Sequence, residues 1–139
     1  MPHGAGLFIG ISTAVVTLQS TIIGGNRLLG GSGGASDVGG VAGATLAGAD
    51  NLITQPFLTA PPGTITDLDP RLAALGDNGG PTFTHALLPD SPAINHGNSV
   101  NSGDYDQRGS GYPRVIGAIA DIGAYELDLG DLIFADGFE

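Results

Sequence analysis

The sequence predicts an all-β chain wound as a solenoid, a parallel β-helix with long loops and a C-terminal tail. Three observations point there. Glycine takes 25 of the 139 positions and proline 9, so helix breakers interrupt every candidate helical window. The apolar residues, 41% of the chain, come in pieces of only a few residues, each bounded by turn formers. Hairpins ask for longer strands and tight two-residue turns, whereas three short strands repeated every twenty-odd residues suit a β-helix. Each rung turns aliphatics inward and hydrogen-bonds to the next about 4.8 Å away. A single rung cannot bury its own apolar face, so stability comes from stacking.

The candidate strands follow in order. Leu7–Ile11, Val15–Leu18 and Thr21–Ile23 come first and end at Gly24-Gly25-Asn26. Leu7–Ile23 is uncharged and as long as a signal core or a short membrane span. Its polar interruptions and the alternation of Val16 and Leu18 with Thr17 and Gln19 read instead as strand. A Gly-rich loop near 30–44 follows, with little to pack beyond Leu28, Leu29, Val38 and Val41. Thr45-Leu46, Asn51-Leu52-Ile53 and Phe57-Leu58 lead to the Pro61-Pro62-Gly63 corner and the strand Thr64–Leu68. Asn78-Gly79-Gly80-Pro81 and Pro89-Asp90-Ser91-Pro92 read as corners, with Ala86–Leu88 and Ala93-Ile94 as the sides between them. After the long loop 95–112, Val115–Ile119 and Ile122–Tyr125 close the rungs, which occupy 1–126 and leave 127–139 as tail.

Charge removes whole classes of partner. The chain carries a net charge of −10, and its only cations besides histidine are Arg27, Arg71, Arg108 and Arg114. Binding to nucleic acid or an anionic membrane needs clustered cations, and these four are scattered among fourteen acids. With no cysteine there is no disulfide, thiolate nucleophile or Cys-based metal site. Met1-Pro2-His3-Gly4 is too short to cap an open rung. The expectation is therefore a chain that starts mid-architecture, its export signal upstream, able to self-associate through the open N-terminal rung.

The motifs resemble those of the choice-of-anchor Q domain, a bacterial surface-protein group with a right-handed parallel β-helix. The likeness runs in order through Gly4-Ala5-Gly6-Leu7, Val16-Thr17-Leu18, Ser20-Thr21-Ile22, Gly25-Asn26, Asn51-Leu52-Ile53 and Asp69-Pro70-Arg71-Leu72. It continues through Asp77–Thr82, Thr84–Pro89, Ser91–Ile94, Asp106-Gln107-Arg108-Gly109 and Asp121–Glu126. Asp90 stands where members often have Gly, and Asn95 where an Asp is common. The resemblance implies an extracellular or cell-surface repeat protein, structural or adhesin-like, with no established enzymatic activity.

The candidate chemistry is sparse. Asp67 and Asp69, and Asp104 and Asp106, place carboxylates on one face of an extended segment. With Asn98, Asn101 and Ser102 nearby, Asn101, Asp104 and Asp106 form a candidate calcium set, although no full calcium-loop consensus is present. The plainer reading is Asx-turn bonding in a surface loop. Arg108 is expected to act as a structural clamp, with Asp106 in its motif and bidentate pairing to Asp121 or Glu126, tying the long loop to the last rung. His85 and His96 belong to no nucleophilic triad, and no phosphate-cradling motif is present.

The tail resembles an ending found on some bacterial exported proteins, carried here by Phe134, Asp136, Gly137, Phe138 and Glu139. Its other reading is an amphipathic flap whose Leu132, Phe134 and Phe138 cover the bottom rung. The expected function is a noncatalytic surface or secreted module whose partner is a surface, glycan or protein ligand. The alternatives are a polysaccharide lyase or hydrolase, since parallel β-helices host both, and a calcium-stiffened carbohydrate-binding module. A lyase needs a base beside a calcium-bound uronate and a hydrolase needs paired carboxylates in a cleft. Only Arg71 and Arg108 flank acidic pairs here, and Tyr105, Tyr112 and Tyr125 are the only tyrosines available as sugar platforms.

Overall fold

Seven short strands fill the first half of the chain, and they pair in parallel. The computed structural model describes residues 6–27, 37–56, 58–100 and 103–130. The strands are β1 (Leu7–Ile9), β2 (Val15–Gln19), β3 (Ile22–Ile23), β4 (Val38–Gly40), β5 (Thr45–Ala49), β6 (Leu52–Ile53) and β7 (Ile65–Thr66). β1 pairs with β4, β2 with β5, and β3 with β6, each partner lying thirty or thirty-one positions later. β6 then pairs on its other edge with β7. Val38 also forms a parallel bridge with Pro56. The chain thus makes one pass over Leu7–Ile23 and a second over Val38–Ile53, with strands alongside strands.

Two-residue periodicity decides where the apolar side chains go. Ile23 and Ile53 pack with Ile9, Val38, Leu46, Val16 and Leu18 in one core. Their neighbours Ile22 and Leu52 point the opposite way, into a second core with Ile65, Leu87, Ala93, Ile122 and Leu127. β3 and β6 are therefore apolar on both faces, which is why each reads as a continuous aliphatic pair, whereas β7 sets Ile65 beside Leu52 and Thr66 beside Ile53. The second half of the chain packs against the outer face of the β3-β6-β7 sheet.

Two buried polar side chains stitch the passes together. Asn51, fully buried, accepts from the Thr21 amide at 3.0 Å and donates to the Leu18 carbonyl at 3.1 Å. Asp37, 1% exposed, accepts from the Asn26 and Gln55 amides, both at 2.9 Å, and from the Asn26 side chain at 3.0 Å. Each satisfies backbone groups that the corners strip from the ladders.

Several sequence expectations need correction. No regular twenty-odd-residue repeat appears: the first return takes thirty or thirty-one residues, and the next, from β6 to β7, only thirteen. Within the expected loop 30–44, Val38–Gly40 is strand β4, with Val38 fully buried. Glycines here permit close approach: a Cβ on Gly40 would lie 3.3 Å from the Ile9 carbonyl oxygen. Ala86–Leu88, Ala93-Ile94, Val115–Ile119 and Ile122–Tyr125 form no strands. The chain there folds through isolated antiparallel bridges, Leu72 with Leu87, Gly76 with Thr84, and Tyr105 with Pro113. The Asn78 amide closes that first excursion on the Thr84 carbonyl and hydroxyl at 2.9 and 3.0 Å. The turn residues Asn78–Pro81, expected as a solenoid corner, lie instead at the tip of a local hairpin-like excursion between Gly76 and Thr84. Leu28, Leu29, Phe57, Asn101, Ser102 and the tail Asp131–Glu139 lie outside the described residues.

Candidate functional site

The C-terminal half gathers its charges into one buried cluster. Arg108 is 6% exposed, and the Asp106 side chain is fully buried. Arg108 Nη2 meets Asp106 Oδ2 at 2.7 Å and Nε meets it at 3.0 Å, while the Arg108 amide donates to Oδ1 at 2.8 Å. The same guanidinium donates to the Glu126 carbonyl at 2.7 Å. Its carbon lies 3.8 Å from the Tyr125 ring centre and 4.2 Å from that of Tyr112, so both rings contribute cation–π attraction. Burial alone would lower the Arg108 pKa; the Asp106 hydrogen bonds and the potential of Tyr125, Asp106 and Tyr112 outweigh it and raise it.

A second buried pair sits alongside. Arg114 Nη1 donates to Glu126 Oε2 at 2.8 Å, and Nη2 donates to the Asp121 carbonyl at 2.9 Å and the Gly123 carbonyl at 3.1 Å. Glu126 also accepts from the Asp121 and Ile116 amides, both at 2.9 Å. Asp121 accepts from the Asn95 amide at 2.8 Å and the Leu127 amide at 2.7 Å. Burial pushes the Glu126 carboxyl above the ordinary carboxylate value; the Asp121 and Ile116 amides and Arg114 pull it back, and the Asp121 charge adds to the rise.

The cluster thus brings Asp106, Arg108, Asp121 and Glu126 together, with a different partner for Arg108 than the sequence suggested. Its fork grips Asp106, two residues away, and only the backbone of Glu126. The carboxylate of Glu126 belongs to Arg114, a residue that sequence reasoning left without a role. The signal that could have found it is the scarcity of cations together with Tyr112, two residues before Arg114.

The other candidates stand apart. Both Asp106 oxygens are turned into the cluster, toward Arg108 and the Glu126 amide, which removes Asp106 from the calcium set. Asp104 is exposed, and Asn101 lies outside the described residues. Among the described residues no group of three His, Asp or Glu side chains is placed to hold a metal. Arg71 forms an exposed ion pair with Asp90. His85 and His96 are hydrogen-bonded through Nδ1 to the carbonyls of Ala73 and Ile94, at 2.8 and 2.6 Å. The ending Phe134, Asp136, Gly137, Phe138 and Glu139 lies outside the described residues.

A groove of about 710 Å³ runs between β3 and the C-terminal half, lined by Ile22, Leu72, Phe83, Ile122, Tyr125 and His85 among others. Phe83 is 62% exposed at its rim. The groove is mostly apolar, and its one titratable base is His85.

Among the described residues no helix is long and apolar enough to cross a membrane. No protein-family model, curated protein or solved structure matches this chain.

Proposed function

We propose that the chain is part of a right-handed parallel β-helix serving a secreted or surface-displayed protein as a noncatalytic, adhesin-like module. The observation that carries this reading is that the buried carboxylates of the charged cluster are committed to arginine and backbone partners. Both oxygens of Asp106 and both of Glu126 accept from Arg108, Arg114 or backbone amides, and each arginine holds its acid and a neighbouring carbonyl. A general base, nucleophile or uronate-binding cation needs a free lone pair or donor facing a cleft. The parallel passes, in register about thirty residues apart, support the β-helix. The likeness to choice-of-anchor Q motifs supports the surface setting.

The test is turnover of pectin and related uronates, with and without calcium, followed by unsaturated-product absorbance and by reducing ends. No turnover is expected. Wild-type turnover above that of the heat-denatured chain would overturn the reading. A second reading, a carbohydrate-binding module, is favoured by the groove with its exposed Phe83. It predicts saturable binding on a glycan panel that Phe83→Ala abolishes.

A further inference from the structure

We propose that Asn78 is a deamidation site that latches the excursion between Gly76 and Thr84 open once it has reacted. Asn78 is the only asparagine of the chain that is followed by glycine. Glycine has no Cβ to shield its amide, so the Gly79 nitrogen is free to approach the Asn78 side chain when the turn relaxes. That nitrogen attacks Cγ, the Cγ–Nδ2 bond breaks, and ammonia leaves with the Gly79 amide proton. Water then opens the cyclic imide at either carbonyl, leaving aspartate or isoaspartate in place of asparagine.

The closed excursion restrains both reacting groups. Asn78 Nδ2 donates to the Thr84 carbonyl at 2.9 Å and to its hydroxyl at 3.0 Å, and Thr84 is 4% exposed. The Gly79 amide donates to Asp77 Oδ1 at 3.1 Å. The turn is wedged as well: a Cβ on Gly79 would fall on the Tyr112 hydroxyl, and one on Gly80 on the Arg108 carbonyl. Ring closure must swing the Asn78 side chain away from Thr84 and onto the Gly79 nitrogen, so the reaction waits for local opening.

The product does not close again. A carboxylate oxygen standing where Nδ2 stood meets the Thr84 carbonyl, acceptor against acceptor, in a half-buried place. Isoaspartate lengthens the backbone of the turn by one carbon and pushes Gly79 off its seat against Tyr112. What opens is the reciprocal pair of backbone bonds between Gly76 and Thr84, both 3.0 Å long. Leu75, Phe83, Thr84 and His85 line the groove, so opening withdraws one wall of it. Deamidation at Asn78 thus limits how long the groove keeps its shape.

The test is to age the 139-residue chain at neutral pH, folded and in urea, and to map the products by fragment mass spectrometry. In urea a gain of about 1 Da should appear first at Asn78. In the folded chain the same gain should appear about tenfold to a hundredfold more slowly. Thr84→Val removes the hydroxyl acceptor while keeping the side-chain shape; it should speed the folded reaction and leave the urea rate unchanged, with circular dichroism confirming the fold. The aged fraction, separated by its added negative charge, should exchange the Gly76 and Thr84 amides about tenfold faster or more, as should Asn78→Asp, while the Leu52 and Thr54 amides in the parallel ladder stay protected. Equal rates in folded chain and urea, or a first reaction in urea at another asparagine, would overturn the proposal. So would a folded chain unmodified at Asn78 after about 100 urea half-times, an unchanged folded rate in Thr84→Val, or wild-type protection of both amides in Asn78→Asp.

Discussion

Replacing Arg108 with Ala probes the interaction on which the C-terminal half depends most. The substitution removes a buried guanidinium and leaves the Asp106 carboxylate, itself fully buried, with only the Arg108 and Glu126 amides as donors. Breaking a buried ion pair from one side costs about 3–5 kcal/mol, since the remaining charge stays desolvated. Two cation–π contacts, at 3.8 and 4.2 Å, vanish with it and add about 0.5–2 kcal/mol each. Part of that sum overlaps with the pair itself, so the expected loss is about 4–6 kcal/mol. A domain of this size typically holds about 5–15 kcal/mol in total. The melting temperature should therefore fall by roughly 10–20 °C, read by circular dichroism and by the urea midpoint. Arg108→Lys should recover less than half of the loss, because an ammonium reproduces neither the fork on Asp106 nor stacking on the tyrosines. The double variant Asp106→Leu/Arg108→Met should be more stable than either single change to an uncharged residue, since no lone charge remains buried. An Arg108→Ala melting temperature within about 2 °C of wild type would refute the reasoning, as would full rescue by lysine.

Two further outcomes follow from the same packing. The raised Glu126 pKa means that the folded chain holds a proton the unfolded chain has already released, so this residue's contribution is greatest below the ordinary carboxylate pKa and is lost as pH rises through the folded value. The stability gap between wild type and Glu126→Gln should therefore narrow as pH climbs through the acid range and then flatten; urea midpoints that diverge with rising pH contradict it. Gly48 has φ 107° and its Cβ would overlap the Leu18 carbonyl, so Gly48→Ala should cost about 2–5 kcal/mol by thermal or urea melting. Gly111, at φ 98° with open space around it, is the control: Gly111→Ala bears only the backbone penalty, about 1 kcal/mol, and equal losses at the two sites would contradict the packing described.

The first half of the fold was legible because local pattern and tertiary role agree there. Val16 and Leu18 alternate with polar neighbours, and Leu52-Ile53 follows a turn-forming Asn, so strand type and inward faces could be read directly. The period could not be read, because nothing in the glycine run signals how far the chain travels before Val38. β4 was missed for a related reason. Val38-Gly39-Gly40 has poor strand propensity, and it is a strand only because β1 lies beside it with matching donors and acceptors.

In the second half the sequence pointed to the right residues but not to their pairing. Arg108 and its acids stood out against a charge-poor background, and they do meet. Which carboxylate meets which guanidinium depends on the turns that carry Asp106 and Glu126, a tertiary property. Asp37 passed unnoticed because an acid in a glycine-rich run looks solvated. Its burial becomes intelligible only once the Asn26 and Gln55 amides are seen to converge on it.

The parallel register of β2 against β5 is the claim on which the β-helix reading depends. Inter-strand NOEs in an isotope-labelled sample test it directly. Contacts should link Val16 with Leu46 and Leu18 with Gly48, ascending together along both strands. Contacts linking Val15 with Ala49 and Gln19 with Thr45, the order of a hairpin, would contradict the account.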